Sequence, residues 1–131
     1  ICLLLPVDPD ASAAQLRNEI ERRHRINVGV IINDSIGRAW RNGSVGLAIG
    51  VSGFTAIEDY IGAVDIYGRE LMVTEVAAAD ETAAGASLVM GQTSEKTPVV
   101  LVRGYKPKEP TDNSRVGVQP LIREKQMDLF R

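Results

Sequence analysis

The sequence contains few of the residues that build disulfides, zinc centres and histidine-dependent active sites. Its 131 residues include one cysteine, Cys2, and one histidine, His24. One cysteine excludes an intrachain disulfide framework. Neither a zinc-ligand spacing nor a Ser-His-Asp set is present. His24 lies near the end of a predicted charged helix, where a cation is mildly favourable, so we assign it no metal or catalytic role.

The sequence also lacks a strong charge of one sign and a long apolar run. The formal net charge is -2, which argues against general affinity for nucleic acids or anionic membranes. No apolar run is long enough to span a bilayer, and no basic region precedes ICLLLPV at the start, as it would in a signal peptide. Hydrophobic residues make up 44% of the chain and charged residues 24%, which is typical of one globular domain. We therefore expect a cytoplasmic protein without nucleic-acid or membrane partners.

The apolar pattern predicts an α+β fold with a mixed sheet and two main helices. Buried strands are predicted at ICLLLPV, VGVIIN, VGLAIGVSGF and TPVVLVRG, and one or two more around a turn at Tyr67 and Gly68. Because helices alternate only partly with strands, α+β is favoured over a doubly wound sheet. We expect a single domain over residues 1–131, in which residues 106–131 form a polar tail or arm with a short terminal helix.

Two segments carry the signals of helix ends. Ser12–Gln15 matches a capping box and predicts the start of the first helix. On its solvated side we expect ion pairs four residues apart, Arg17 with Glu21 and Glu19 with Arg23. Asp80 is the predicted N-cap of the second helix, which ends at Gly91.

The first polar spot whose residues are suited to binding or catalysis follows the strand VGVIIN, where a glycine-rich loop is predicted. Asp34 and Ser35 offer hard oxygen ligands for Mg²⁺ or Mn²⁺, and Arg38 and Arg41 can contact phosphate or carboxylate oxygens. The alternative is that Asp34 caps a turn and the arginines are surface residues. Trp40 is expected in the core, because large aromatic residues mostly supply buried area.

The second polar spot is the loop GQTSEKT, residues 91–97. It is not a P-loop, because Glu95 replaces the glycine before Lys96 and the loop connects a helix to a strand. The loop can still bind phosphate through its backbone N–H groups and through Thr93, Ser94 and Lys96. The alternative is a solvated connection without a ligand.

Together, five segments resemble one family in their order and spacing: DSIGRAWRNGSVGLAIGVSG, DIYGREL, VAAADETAAGASLVMGQ, TPVVLVRG and the ending DLFR. The family is the coenzyme F(420)-0:L-glutamate ligases, also called F(420) gamma-glutamyl ligases. The resemblance implies GTP- and divalent-metal-dependent ligation of L-glutamate to a deazaflavin precursor. The first glutamate would join the lactyl carboxylate through an acyl phosphate, and the enzyme would be a homodimer.

The resemblance also implies roles for particular residues. Asp34 matches the carboxylate ligand of one metal ion, Mg²⁺ or Mn²⁺. Ser35 stands where the family usually has a threonine that binds a second metal ion, and Gln92 matches that ion's amide ligand. Arg38 and Arg41 would contact phosphate or carboxylate. The nucleotide would bind Met90, Gly91, Gln92, Thr93, Ser94, Glu95, Lys96 and Thr97.

Members of this family are considerably longer at the N-terminus, so the chain resembles their C-terminal half. The missing part carries another metal-binding carboxylate, and we expect the 131-residue chain alone to be inactive. Two other interpretations stay open: a non-catalytic module that binds a nucleotide or deazaflavin, and a structural interaction domain.

Overall fold

A long antiparallel hairpin forms the centre of the fold, and two helices pack on it. The structure is a computed structural model that describes residues 4–106 and 116–128. The first helix, α1, spans Pro9–His24, and the hairpin strands β1 and β2 span Val30–Arg38 and Arg41–Ser52. A short antiparallel pair follows, β3 at Glu58–Asp59 and β4 at Glu75–Val76. The second helix, α2, is Ala78–Met90, and 3-10 turns occupy Gln119–Leu121 and Lys125–Met127. The predicted α+β class with two main helices is confirmed.

Small residues of β2 allow both helices to lie close to the hairpin. An added Cβ at Gly46 would lie 2.8 Å from the carbonyl oxygen of Ala83 and 2.6 Å from Cβ of Ser87, both on α2. An added Cβ at Gly50 would overlap Pro9, in the first turn of α1. The core beneath the helices is accordingly rich in alanine. Its buried residues are Ala48, Val51, Phe54, Ala56, Ala79 and Ala83. Glycine at these β2 positions therefore sets the distance between the helices and the sheet.

The first helix starts earlier than the capping-box prediction. Asp8 is the N-cap, and its carboxylate accepts a hydrogen bond from the Ala11 N–H at 2.9 Å, with Pro9 at the first helical position. The prediction for Ser12 is wrong, because Ser12 lies inside the helix and donates its hydroxyl to the Asp8 carbonyl. The predicted ion pairs are confirmed: Arg17 with Glu21 at 2.9 Å, and Arg23 with Glu19.

The second helix also starts before the predicted N-cap. Ala77 occupies the cap position, and Asp80 lies in the first turn. The Asp80 carboxylate instead accepts the Ala48 N–H of β2 at 3.0 Å, so this side chain ties the helix to the hairpin. The predicted end is confirmed, because Gly91 has φ 75° and donates its N–H to the Ser87 carbonyl.

The hairpin confirms two predicted strands and corrects the segment between them. The predicted glycine-rich loop after Asn33 is wrong, because β1 continues through Asp34 and Ser35, which pair with Leu47 and Gly46. The connection is only residues 39–40. Trp40 has φ 61° and is 90% exposed, so its expected place in the core is also wrong. Among residues 4–106 and 116–128, none forms a second layer that covers the indole at the hairpin tip.

Two apolar segments predicted as buried strands are not strands in the described residues. Residues 4–7 and 98–102 have no regular secondary structure. Leu4 is 91% exposed and Val99 is 80% exposed. Burial requires a partner surface, and the part of the chain that the structure describes places none over these segments. Residues 1–3 of the first segment lie outside the described residues.

The turn around Tyr67 and Gly68 is confirmed, with the Gly68 N–H donating to the Asp65 carbonyl at 3.0 Å. The predicted C-terminal helix is a three-residue 3-10 helix, Lys125–Met127, within the described residues. Residues 107–115 and 129–131 of the predicted arm lie outside the described residues, so the arm stays a prediction.

Candidate functional site

The two polar spots meet in one cleft. It has a volume of about 260 Å³ and lies between β1 and the loop that follows α2. The lining residues are Asn33, Asp34, Ser35, Ser87, Met90, Gly91, Gln92, Thr93, Glu95 and Lys96. The structure therefore brings Asp34 and Ser35 together with Gln92, from which the sequence separates them by more than fifty positions.

The packing of α2 on β2 accounts for this meeting. Ser35 pairs with Gly46 in the hairpin ladder, and Ser87 of α2 lies directly against Gly46. The helix thus crosses the hairpin beside the Asp34-Ser35 step. It ends at Gly91, whose φ of 75° turns the following loop toward the same place. The site consequently depends on local geometry at Gly46 and Gly91.

Asp34 presents a half-buried carboxylate that accepts few hydrogen bonds from the protein itself. Its Oδ1 accepts the Ser35 N–H at 2.8 Å. Within residues 4–106 and 116–128, this carboxylate makes no other hydrogen bond or ion pair with the protein. The group thus keeps lone pairs and a negative charge for a ligand in the cleft.

Two lining residues, Asn33 and Ser87, were not identified from the sequence. Asn33 donates Nδ2 to the Ala83 carbonyl at 3.3 Å and to the Met90 sulfur at 3.5 Å. Its buried Oδ1 has no partner among the described residues. Ser87 precedes Met90 by three positions, so helical spacing places both on one face. The spacing of Ser87 from Met90 and the position of Asn33 next to Asp34 are the sequence features that could have identified these two residues.

Gln92 is oriented with its amide oxygen available. Its Nε2 donates to the Ser87 hydroxyl oxygen at 3.1 Å, so the amide nitrogen is already engaged. The amide oxygen remains as an acceptor or metal ligand on the same side chain.

The loop after α2 is organised by Glu95. Its Oε2 accepts the Thr93 N–H at 2.8 Å, and both of its oxygens lie 3.3 Å from the Thr93 hydroxyl. These bonds, with the Thr93 N–H foremost, lower the pKa of Glu95 below its usual value. Lys96 follows with φ 55°, in the left-handed region that non-glycine residues rarely adopt. The loop is therefore a tight, side-chain-supported turn.

Four residues that the sequence associated with the site do not line the cleft. Ser94 and Thr97 belong to the loop but lie outside the lining set. Arg38 and Arg41 face each other at the far end of the hairpin, and Arg38 Nη1 donates to the Gly43 carbonyl at 3.4 Å. Their predicted contact with phosphate or carboxylate stays a prediction.

The chemistry of the cleft residues fits a divalent cation in part. Asp34 supplies a carboxylate, Ser35 a hydroxyl and Gln92 an amide oxygen, which are hard ligands of the kind that Mg²⁺ and Mn²⁺ accept. Among the described residues, no group of three or more His, Cys, Asp or Glu side chains is arranged to hold a metal ion. The set therefore fits one cation whose shell is completed by phosphate and water, while a second cation needs negative charge from elsewhere.

A second cavity, of about 370 Å³, lies beside β3 and the start of α2. Here the carboxylate of Glu58, which is 6% exposed, accepts hydrogen bonds from the phenols of Tyr60 and Tyr105, both at 2.6 Å. Burial, together with Glu58, raises the pKa of the Tyr105 phenol well above its usual value. Both oxygens of this carboxylate are therefore already bound by protein groups.

Within the described ranges, no helix has both the length and the apolar character needed to cross a bilayer.

Comparisons with known proteins give a consistent result. Residues 1–104 match the family described as F420-0:Gamma-glutamyl ligase. A coenzyme F420:L-glutamate ligase of Methanocaldococcus jannaschii is 50% identical over 128 residues, which cover 98% of this chain and 50% of the relative. The enzyme of the same name from Methanothermobacter thermautotrophicus is 46% identical over 129 residues, 97% of this chain and 50% of the relative. The chain thus spans about half the length of the curated relatives it matches.

Proposed function

The chain belongs to the F420-0:Gamma-glutamyl ligase family, and on that premise we propose that the protein ligates L-glutamate to a deazaflavin precursor of coenzyme F420. The reaction forms an amide bond and consumes GTP in the presence of Mg²⁺ or Mn²⁺. The name of these relatives, coenzyme F420:L-glutamate ligase, supports the substrate and the bond formed. The nucleotide and the metal ion are supported by the residues of the cleft.

The observation that carries the proposal is the shared cleft of Asp34, Ser35 and Gln92. Its oxygens can hold a divalent cation, while the loop on its other wall offers N–H groups and the Lys96 ammonium. A nucleotide triphosphate with a divalent cation requires this combination, because phosphate charge has to be neutralised and its oxygens positioned. A connecting loop without a ligand does not require it.

In the proposed reaction, a carboxylate oxygen of the precursor attacks the γ-phosphorus of GTP. The bond from that phosphorus to the β–γ bridging oxygen breaks, which releases GDP and leaves an acyl phosphate. The amine of glutamate then attacks the acyl carbon, inorganic phosphate departs, and the amine nitrogen loses a proton. A bound divalent cation would neutralise phosphate charge, with Asp34, Ser35 and Gln92 as its protein ligands.

Within this scheme, the chain's own residues mainly position charge. Lys96 places an ammonium against the phosphates, and Gly91 allows the loop backbone to come close to them. Ser87 fixes the Gln92 amide, so its oxygen faces a ligand without rotating. Each of these roles reduces the rearrangement needed when the substrates bind.

The cleft alone is incomplete for this chemistry. It holds a single metal-ligand carboxylate, Asp34, and we propose that the remainder of the whole protein supplies the rest. The exposed apolar residues of segments 4–7 and 98–102 offer surfaces for that remainder or for a second subunit in a homodimer. A protein that binds GTP or the deazaflavin without turnover is the second candidate.

The test is an assay of the full-length protein with GTP, MnCl₂, L-glutamate and the deazaflavin precursor. We expect a product heavier by one glutamyl residue, with one GDP formed for each glutamate added. The 131-residue chain alone serves as the matched comparison and is expected to form no product. Tight GTP binding by the full-length protein with no glutamylated product would instead favour the non-catalytic module.

A further inference from the structure

The Glu95 carboxylate accepts hydrogen bonds from the loop donors that a phosphate group would use. The Thr93 N–H and the Thr93 hydroxyl are the donors in question, and both are directed at the Glu95 carboxylate at 2.8 and 3.3 Å. A carboxylate and a phosphate present the same kind of oxygen acceptor to such donors. The Glu95 side chain thus holds the position of an anionic ligand.

The fold accommodates this carboxylate closely. An added Cβ at Gly91 would overlap the Glu95 carboxylate group, so the side chain lies folded back over the glycine at the end of α2. Gly91 and Glu95 both line the cleft, and the backbone at Lys96 adopts a left-handed conformation directly after Glu95. The loop is therefore shaped around the folded-back side chain.

We propose that Glu95 is an internal ligand of the phosphate-binding loop and leaves when a nucleotide phosphate binds. This inference rests on the proposed function, and it adds a competition step to it. The folded-back carboxylate and a bound phosphate share the Thr93 donors, and both are negatively charged. Asp34 on the opposite wall adds a further negative charge. The two occupants exclude each other, so phosphate binds only to the fraction of molecules in which Glu95 has swung out.

The competition makes a directional prediction about affinity. An apparent dissociation constant equals the intrinsic one divided by the fraction of molecules that can bind. Weakening the Glu95 contact raises that fraction and tightens binding. If Glu95 only supported the loop, the same change would loosen the loop and weaken binding. The two roles therefore predict opposite changes in the dissociation constant for the same substitution.

The experiment compares Glu95→Gln with the wild-type full-length protein, with GTP and inorganic pyrophosphate as separate probes in calorimetric titrations. Glutamine has nearly the same shape but no charge, and we expect dissociation constants about threefold to tenfold lower for both probes. Glu75→Gln, at the exposed position of strand β4, makes the same charge change outside the cleft and is expected to leave both constants unchanged.

A second readout follows the loop itself. The Thr93 amide resonance should move in Glu95→Gln, and in the wild type on saturation with pyrophosphate, because both remove the carboxylate from that N–H. Weaker or unchanged binding of GTP by Glu95→Gln, in a protein that still ligates glutamate, overturns the competition and leaves the proposed function standing. Absence of GTP binding by both proteins overturns the proposed function and this inference with it.

Discussion

Two cavities of this protein are lined by carboxylates, and Glu58 in one cavity differs from Asp34 in the other in the hydrogen bonds that it accepts. Glu58 is buried, and each of its oxygens accepts a phenol hydrogen bond at 2.6 Å. Asp34 is half-buried on β1 and, among the described residues, its carboxylate accepts only the adjacent Ser35 N–H. Removal of a carboxylate from water costs several kcal/mol unless donors replace the solvent, and the two phenols do this for Glu58.

The difference supports the proposal that the cleft containing Asp34 binds a ligand. A carboxylate whose lone pairs are filled by its own protein contributes to stability, because the bonds link distant segments; Tyr105 lies 47 positions from Glu58. A carboxylate left open at the rim of a cleft contributes little to stability and can offset the charge of a cation. Substitutions that remove one charge from each cavity should therefore affect different properties.

The largest expected effect is the loss of turnover in Asp34→Asn. The change is nearly isosteric but removes the charge that would offset a cation, so we expect kcat/KM to fall by at least about 100-fold. The melting temperature should stay within error of the wild type, since few internal contacts depend on this carboxylate. Near-normal glutamate ligation by a folded Asp34→Asn protein would show that another residue holds the metal ion.

The complementary change, Glu58→Gln, should mainly reduce stability. An amide oxygen can accept one phenol, but its NH₂ group faces the other, so we expect the free energy of unfolding to fall by about 2 kcal/mol. Urea unfolding followed by circular dichroism measures this loss, and an assay well below the midpoint checks that activity is retained. A stability equal to that of the wild type would mean that the phenols do not stabilise this carboxylate.

A smaller effect is expected for a carboxylate whose hydrogen bond stabilises a helix end. Asp8 is exposed and caps α1 through the Ala11 N–H, so Asp8→Ala should cost about 1 kcal/mol of stability. Activity per folded molecule should be unchanged, unlike that of Asp34→Asn. Ser12→Ala is the control, because the structure places Ser12 inside the helix, and it should cost clearly less. The reverse order would restore Ser12 as the cap.

Local pattern was sufficient to predict the two helices, the hairpin strands and the polar character of the cleft. Asp8 followed by Pro9 was also readable as a helix start, because proline favours the first helical position, but the capping-box motif at Ser12–Gln15 competed with it. In this case the carboxylate of Asp8 and the fixed φ of Pro9 determine where the helix begins.

The remaining features depend on contacts that no local pattern contains. The apolar residues of segments 4–7 and 98–102 predict burial, yet whether they are buried depends on a partner surface beyond the described residues. Glu58 looks like an ordinary polar strand residue until the chain folds and brings Tyr105 to it. The continuation of β1 through Asp34 was hidden for a similar reason, because ladder pairing with β2 overrode the turn-forming tendency of Asp and Ser.

Because α2 packs closely on Gly46, the width of the cleft and its chemistry depend on different residues. The width depends on Gly46 of β2, whose side chain is a hydrogen atom and not a methyl group. Gly46 itself carries no reactive atom. The chemistry is determined by side chains on the rim, such as Ser35 and Gln92. Rim residues can therefore be exchanged without a change in the spacing between the walls, which Gly46 maintains from a position outside the lining residues.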